Sequence, residues 1–504
     1  MNRTTLSLLA CATALAGVTA YAAFDPPPAS GASQAKAAAE LPVQRTGLLC
    51  PAPSFSDIAE TSYTSFTPVT KGTDAGGKAT LQAATETDSA SSDGSGSSGK
   101  SKKGGKDTEP PLKPKEPGTP ATGDASGAEA PALIGTADGK YAPGWTVQQT
   151  TEVAAGTGSG LQGVTCAPAD TEFWFPGAST AEGRTDYVHL TNPDDSAAVV
   201  DIRLYGKDGA IKSEVADGIT VQPHASEPVL LSTLTDERET DLTVHVTVRS
   251  GRVGAAVQAQ DDTGGGDWLA PAADPAGSLV LPGIPKDATD VRLIAFTPGD
   301  DDADLKIRLA APDGTITPAG NETLHVKSGM TTAADLGAVT RDQAGSLILT
   351  PADNSVPVVA ALRVVRGTGA KRETAYIPAT APVGRRATSA DNSAKGTTLA
   401  LTAPSATATV KVTASAGSEG GSPATKTFTI KAGTTQNVEA PVPSGLRGTY
   451  ALTVESVSGG PVYGARTLSA TEEGVPGFTV QTLPSDRGLV SVPQADQDLA
   501  ILQK

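Results

Sequence analysis

Residues Leu161–Ile211 read LQGVTCAPADTEFWFPGASTAEGRTDYVHLTNPDDSAAVVDIRLYGKDGAI. A long polar stretch ends here and dense strand-like sequence begins. Tyr187, His189 and Thr191 alternate with Val188 and Leu190, and Asn192-Pro193-Asp194-Asp195 turns the chain. Ala198–Tyr205 reads as the next strand and stops at Asp208-Gly209. Short alternating runs bounded by Asn, Pro, Asp and Gly are the signature of antiparallel strands, and several in series predict a sandwich of sheets.

The same plan returns downstream. In VLPGIPKDATDVRLIAFTPGDDDADLKIRLAAPDGTI, a strand over Asp290–Thr297 leads into the turn Pro298–Asp302. A second strand, Leu305–Ala311, then ends at Asp313-Gly314. A third version begins near Gly396 with LALTAPSATATVKVTASA. The period is about 105–115 residues, long enough for each copy to own a core, unlike solenoid repeats that need neighbours. The fold class expected is therefore all-β: tandem immunoglobulin-like or fibronectin-like β-sandwich domains, with an N-terminal export or anchor segment and a long disordered insertion. The sandwiches are placed at 132–270, 271–385 and 386–482, with a C-terminal tail over 483–504.

Upstream, Arg3 precedes an apolar run from Leu6 to Phe24. Residues 1–24 read either as a cleaved signal peptide or as a single transmembrane anchor, since the run approaches the roughly 20 residues that span hydrocarbon. Both place the body extracytoplasmic, secreted or anchored, with any membrane contact confined to residues 6–24. Cys11 follows Leu8-Leu9-Ala10 as in a lipoprotein processing site, but the lead before it is short. Residues 25–40 form a flexible stalk of Pro, Ala, Ser and Gly. Residues 41–70 regain Leu48, Leu49, Phe55, Tyr63 and Phe66 and are assigned as strands of the first β domain. Residues 71–131, including SSDGSGSSGKSKKGGKD, offer almost nothing to bury and read as a disordered, low-complexity insertion inside that domain. Lys100, Lys102, Lys103 and Lys106 read as part of a solvated loop. Export makes Cys50 and Cys166 a natural disulfide pair in an oxidising compartment.

The chain of 504 residues carries 39 Lys plus Arg against 55 Asp plus Glu, a formal charge of -16, which disfavours nucleic acid and anionic head groups. His189, His224, His245 and His325 are its four imidazoles, and no G-x-S-x-G or H-E-x-x-H is present. No catalytic residue or cofactor is assigned. Asp300, Asp301, Asp302 and Asp304, with Asp194 and Asp195 in the preceding copy, are weak calcium candidates, because clustered carboxylates supply hard oxygen ligands. The bland reading is a hairpin turn whose Asp side chains cap their own backbone. Asp261, Asp262 and Asp267 share that choice. Trp174 and Tyr187 beside Asp186 form a possible glycan-stacking site; otherwise Trp174 is the core tryptophan of a sandwich. Asp170, Glu172 and Asp186 are the acids available for paired-carboxylate glycan hydrolysis.

At Cys50-Pro51, Cys166-Ala167-Pro168, Trp174-Phe175-Pro176-Gly177, Leu190-Thr191-Asn192-Pro193 and Leu204–Gly209 the chain resembles the actinobacterial exported proteins grouped as domain of unknown function 5719. The resemblance runs over roughly residues 45–480 and implies an envelope protein with no assigned activity. The reading that follows is a non-enzymatic interaction or scaffold module in the bacterial cell envelope, with an envelope protein or cell-wall glycan as partner. The alternatives are a carbohydrate-binding module and a glycan-acting hydrolase.

Overall fold

The computed structural model describes residues 38–86, 112–472 and 475–493. Strands β1 (Ala39–Pro42) and β38 (Leu489–Val492) pair in a two-stranded sheet of a small separate unit. The other strands belong to a unit spanning Pro42–Gly488 and fall into four copies of one plan.

Copy one contains β2 (Arg45–Cys50), β3 (Ala59–Phe66), β4 (Ala79–Ala83), β5 (Thr85–Glu86), β6 (Ala121–Ser126), β7 (Leu133–Asp138), β8 (Thr146–Val153) and β9 (Gly160–Thr165). In copy two these are followed by β10 (Glu172–Ala178), β11 (Arg184–Thr191), β12 (Ala198–Gly206), β13 (Gly209–Ile211), β14 (Ile219–Val221), β15 (Ala225–Leu230), β16 (Leu242–Ser250), β17 (Gly254–Asp261) and β18 (Gly265–Leu269). Copy three holds β19 (Leu279–Ile284), β20 (Ala288–Phe296), β21 (Ala303–Ala311), β22 (Gly314–Ile316), β23 (Thr323–Val326), β24 (Thr331–Asp335), β25 (Gly345–Pro351), β26 (Val359–Arg366) and β27 (Glu373–Pro378). Copy four holds β28 (Arg386–Asn392), β29 (Thr397–Ala403), β30 (Ala408–Gly417), β31 (Gly420–Ser422), β32 (Ala424–Ile430), β33 (Thr434–Val438), β34 (Ser444–Arg447), β35 (Tyr450–Gly459), β36 (Tyr463–Glu472) and β37 (Val475–Thr482).

Each copy builds two sheets in the same order. One sheet runs β2-β7-β4, β10-β16-β12, β19-β25-β21 or β28-β35-β30; the other runs β6-β3-β8-β9, β15-β11-β17-β18, β24-β20-β26-β27 or β33-β29-β36-β37. Period-2 alternation turns one face of each sheet inward. On β16, Leu242, Val244 and Val246 join Val188 and Leu190 of β11 in one core. The Asp-Gly signals mark real hairpins, β12–β13 and β21–β22. Gly209 and Gly314 sit there at φ 110° and 147°, a region that suits glycine.

Strand pairing shows more regular structure near the N-terminal side than the sequence suggested. Within 71–131, β4 pairs with β7, β6 with β3, and β5 runs parallel to β15. One buried side chain per short strand suffices once the backbone completes a ladder, and Leu81 is fully buried. Residues 87–111, with the four lysines, lie outside the described residues. So do the stalk residues 25–37 and Cys11. The described residues within 45–166 therefore have their own pair of sheets and their own core, which includes Leu48, Tyr63, Leu81, Leu133 and Trp145. The span 132–270, read as one sandwich, is divided between this core and that of copy two.

The structure also corrects the transmembrane reading. Among the described residues no helix is long and apolar enough to cross a membrane. Residues 6–24, where the span was placed, lie outside the described residues.

Cys50, at the end of β2, and Cys166, just after β9, are bonded, with Cα atoms 4.5 Å apart and a sequence separation of 116. Both are buried in the core of copy one. The bridge ties the first strand of the copy to its last, beside the backbone bridge Leu49↔Ala167. Closing so long a loop restrains the unfolded chain, so reduction, or the double change Cys50→Ala/Cys166→Ala, is expected to destabilise the protein by about 2–5 kcal/mol. Urea unfolding with and without reductant measures this; an unshifted midpoint would show that the bridge contributes nothing.

Candidate functional site

The last strands of the four copies, β9, β18, β27 and β37, meet. β9 lies against β18 and β37, β27 lies against β18 and β37, and a closed cycle of contacts results. Each is the outermost strand of its sheet and so presents an unpaired row of backbone groups. Yet these strands are almost wholly buried.

Side chains from neighbouring copies terminate the open edges. Asp267 of β18 accepts the Gly163 N–H of β9 at 2.8 Å and the Thr479 hydroxyl of β37 at 2.8 Å. Glu373 of β27 accepts the Phe478 N–H of β37 at 2.7 Å. Gln258 of β17 donates to Gln162 Oε1 on β9 at 3.0 Å, and to the Pro53 carbonyl at 3.1 Å. A second buried node joins copy four to copy one. Gln148 Oε1 on β8 accepts from Arg466 Nη2 of β36 and from the Ala390 and Asp391 N–H groups of β28, all at 2.9 Å.

Burial sets the electrostatics. It lifts the Asp267 carboxyl well above the usual carboxylate range, against the Gly163, Trp268 and Thr479 hydrogen bonds. It lifts Glu373 to about 7, against the Phe478 N–H and Arg366. It also pulls the fully buried Arg466 guanidinium down to about 10, with Asp391 and Asp267 opposing. The arrangement can close strand edges and hold protons.

Trp174 lies in a different seam. Phe173 and Phe175 of β10 point into the core of copy two, so Trp174 points out of it. It packs with Phe296 and Val359 of copy three and beside Tyr205. Its ring lies 3.5 Å from that of His245, its cross-strand partner, at an interplanar angle of 6°. At 5% exposure it offers no platform for a sugar, and it is not the core tryptophan of a single copy.

The other residues singled out in the sequence are not brought together. Asp186 is buried on β11, held by Arg184 Nε at 3.1 Å, Arg184 Nη2 at 2.8 Å and the Ser179 N–H at 2.8 Å. Burial raises its carboxyl to about 6, and Arg184 pulls it back. Tyr187, on the opposite face of β11, packs on Phe55 with ring centroids 4.5 Å apart. Glu172 faces His245 at 3.0 Å, and Asp170 receives the Thr171 N–H at 2.8 Å.

The acids of the calcium candidates pair locally. His325 lies 2.9 Å from Asp304 and 3.5 Å from Asp302, which also accepts the Ser328 N–H. Asp300 and Asp301 are exposed. Asp194 pairs with Arg252 and Asp195 with His224, while Asp261 accepts the Thr263 and Gly264 N–H groups of its own turn. Among the described residues, no group of three or more His, Cys, Asp or Glu is placed to hold a metal ion.

Sequence reading passed over Gln148, Glu373 and Arg466, and took Asp267 as a turn acid or a weak calcium candidate. For Asp267 the available signal was a lone charge inside an apolar strand, in GDWL, which is a device for protecting sheet edges.

The β9–β37 contact leaves no room for added atoms: a Cβ on Gly477 would lie 2.6 Å from Leu161 Cβ. Gly477→Ala is expected to force the strands apart and cost about 1–3 kcal/mol, read as a lower denaturation midpoint. The value for Glu373 has a definite sign. Because its folded pKa of about 7 exceeds the ordinary 4.5, it favours the folded state below pH 4.5, and this contribution fades as pH rises to 7. Glu373→Gln keeps an acceptor for Phe478 and removes the charge. It should therefore be more stable than wild type at pH 8 by about 1–2 kcal/mol, after discounting for partial solvation, and equal to it near pH 4. Urea titrations across that range decide the matter; parallel pH profiles for the two proteins would refute it.

No curated protein matches the chain. The family of unknown function DUF5719 matches residues 121–441, from β6 of copy one to just past β33 of copy four. That span is more than half of the 504 residues, and the chain belongs to the DUF5719 family.

Proposed function

We propose that the chain is an exported, non-catalytic β-sheet scaffold that works by contact in the bacterial cell envelope, with each copy an immunoglobulin- or fibronectin-like sandwich. The observation that carries this reading is the use of chemically capable side chains as internal fastenings. Asp186, Asp267, Glu373 and Arg466 are buried and engaged with neighbouring strands or side chains, while Trp174 and His245 stack inside a seam. The Cys50–Cys166 bridge suits an oxidising compartment outside the cytoplasm. What remains for a partner is the outer surface, where Phe55 is 40% exposed and Ile58 54% exposed.

Glycan binding keeps one supporting feature, the exposed Phe55 ring tilted on Tyr187. Affinity capture from solubilised envelope, before and after digestion of the glycan, separates the readings. A scaffold retains the same protein partners after digestion and loses them on Phe55→Ser/Ile58→Ser. Recovery of polysaccharide alone would overturn the scaffold in favour of the glycan reading.

A further inference from the structure

A small pocket lies where copies two and three meet, with a cavity volume of about 50 Å³. It exceeds the roughly 10–15 Å³ that a single water needs, has room for one small tetrahedral oxyanion, and is too small for a sugar ring. Its lining includes Arg184, Arg363, Arg372, Thr374, Tyr376 and Asp261. Three guanidiniums converging on one cavity is unusual in a chain of net charge -16.

The topology brings them together. Arg184 opens β11 and is the cross-strand partner of Asp261 on β17. Arg363 on β26 is the cross-strand partner of Tyr376 on β27. Thr374 and Tyr376, two apart on β27, share a face; Ala375 and Ile377, on the other, enter the core of copy three. Arg372 immediately precedes β27.

Donors exceed acceptors around the cavity. Arg184 gives Nε and Nη2 to Asp186 and shares Nη2 with the Tyr376 hydroxyl at 2.9 Å, leaving Nη1 unspent. The Tyr376 oxygen accepts that bond, so its own proton has no acceptor among the described residues. Among the described residues, neither Arg363 nor Arg372 makes an ion pair, and the Thr374 hydroxyl has no acceptor. The one carboxylate in the lining, Asp261, already receives Thr263 and Gly264.

We propose that this pocket between copies two and three binds a phosphate group, with Arg363 and Arg372 as its principal charged donors and Tyr376 and Thr374 completing the set. A carboxylate has two oxygens to offer. The available N–H and O–H groups outnumber its lone pairs and suit the three terminal oxygens of a phosphate monoester or the free ion, for which arginine forks are the matching partners. The site does not depend on the scaffold reading.

The test is calorimetric titration of the full chain at low ionic strength with inorganic phosphate, glycerol phosphate and acetate. Saturable 1:1 binding of phosphate is expected, weakened at least tenfold in Arg363→Gln and in Arg372→Gln and unchanged in Arg249→Gln, which lies elsewhere on the surface. Arg372 is exposed, so its variant leaves packing intact. Glycerol phosphate binding as tightly as the free ion assigns the pocket to esterified phosphate; binding of the free ion alone assigns it to inorganic phosphate. Absence of saturable binding, wild-type affinity in both arginine variants, or acetate binding as tightly as phosphate would overturn the proposal.

Discussion

The whole arrangement of residues 42–488 turns on four sheet edges brought to one place. A strand at the edge of a sheet must find partners for its outward N–H and C=O groups in water, in another strand or in side chains. Here β9, β18, β27 and β37 are buried together without joining into one continuous sheet. Asp267 and Glu373 supply acceptors reaching across from one copy to the next. An unmet buried donor costs on the order of 1–3 kcal/mol, so carboxyls are placed here even though burial opposes their ionisation. Their raised pKa values and their hydrogen bonds to neighbouring strands follow from the same position.

That constraint changes the meaning of the repeat. A series of similar sandwiches suggests independent beads on a string, each with a private core. In the structure the copies borrow from one another. Tyr376 of copy three belongs to the apolar core of copy two, and Phe478 and Val480 of copy four belong to that of copy three. Val164 of β9 packs with Ala256 and Trp268 of copy two. Gly163 and Gly477 let β9 and β37 approach closely enough for this sharing, since a side chain at either would strike its neighbour.

Much of the local structure is legible in the sequence, because it depends on nearest neighbours. Alternation over Leu242–Val248 and the turns at Asp208-Gly209 and Asp313-Gly314 are local signals, and they gave three of the four copies. The first copy was hidden by length: its strands β2–β4 are separated from β6–β9 by polar sequence, so no repeat of about 110 residues registers. Leu81 and Ala121 each carry too little apolar pattern to announce a strand, and both are buried because a neighbouring ladder recruits them. Trp174 was misplaced for another reason. Alternation says that it faces away from Phe173 and Phe175, but not whether that face meets water or another copy. Asp186 and Tyr187 are adjacent in sequence and, by the same alternation, could not have met one ligand from one side.

Sharing of last strands also determines how stability is distributed. In a string of beads, loss of one unit leaves the others with their own cores. In this cycle, removal of β27 would take Tyr376 out of copy two and the acceptor for Phe478 away from copy four, besides opening copy three. Polar fastenings spread along the seams act in the same direction, because Gln148, Arg466 and Asp391 each lose partners when copies one and four separate. Groups left buried and unpaired cost more than the intact bonds contribute, so partial opening is disfavoured relative to either the closed or the fully unfolded state. The disulfide fits this logic. It closes copy one, whose two sets of strands are farthest apart in sequence and whose last strand meets both copy two and copy four. Fixing β2 to the end of β9 holds the longest loop closed at the point where the cycle itself is completed.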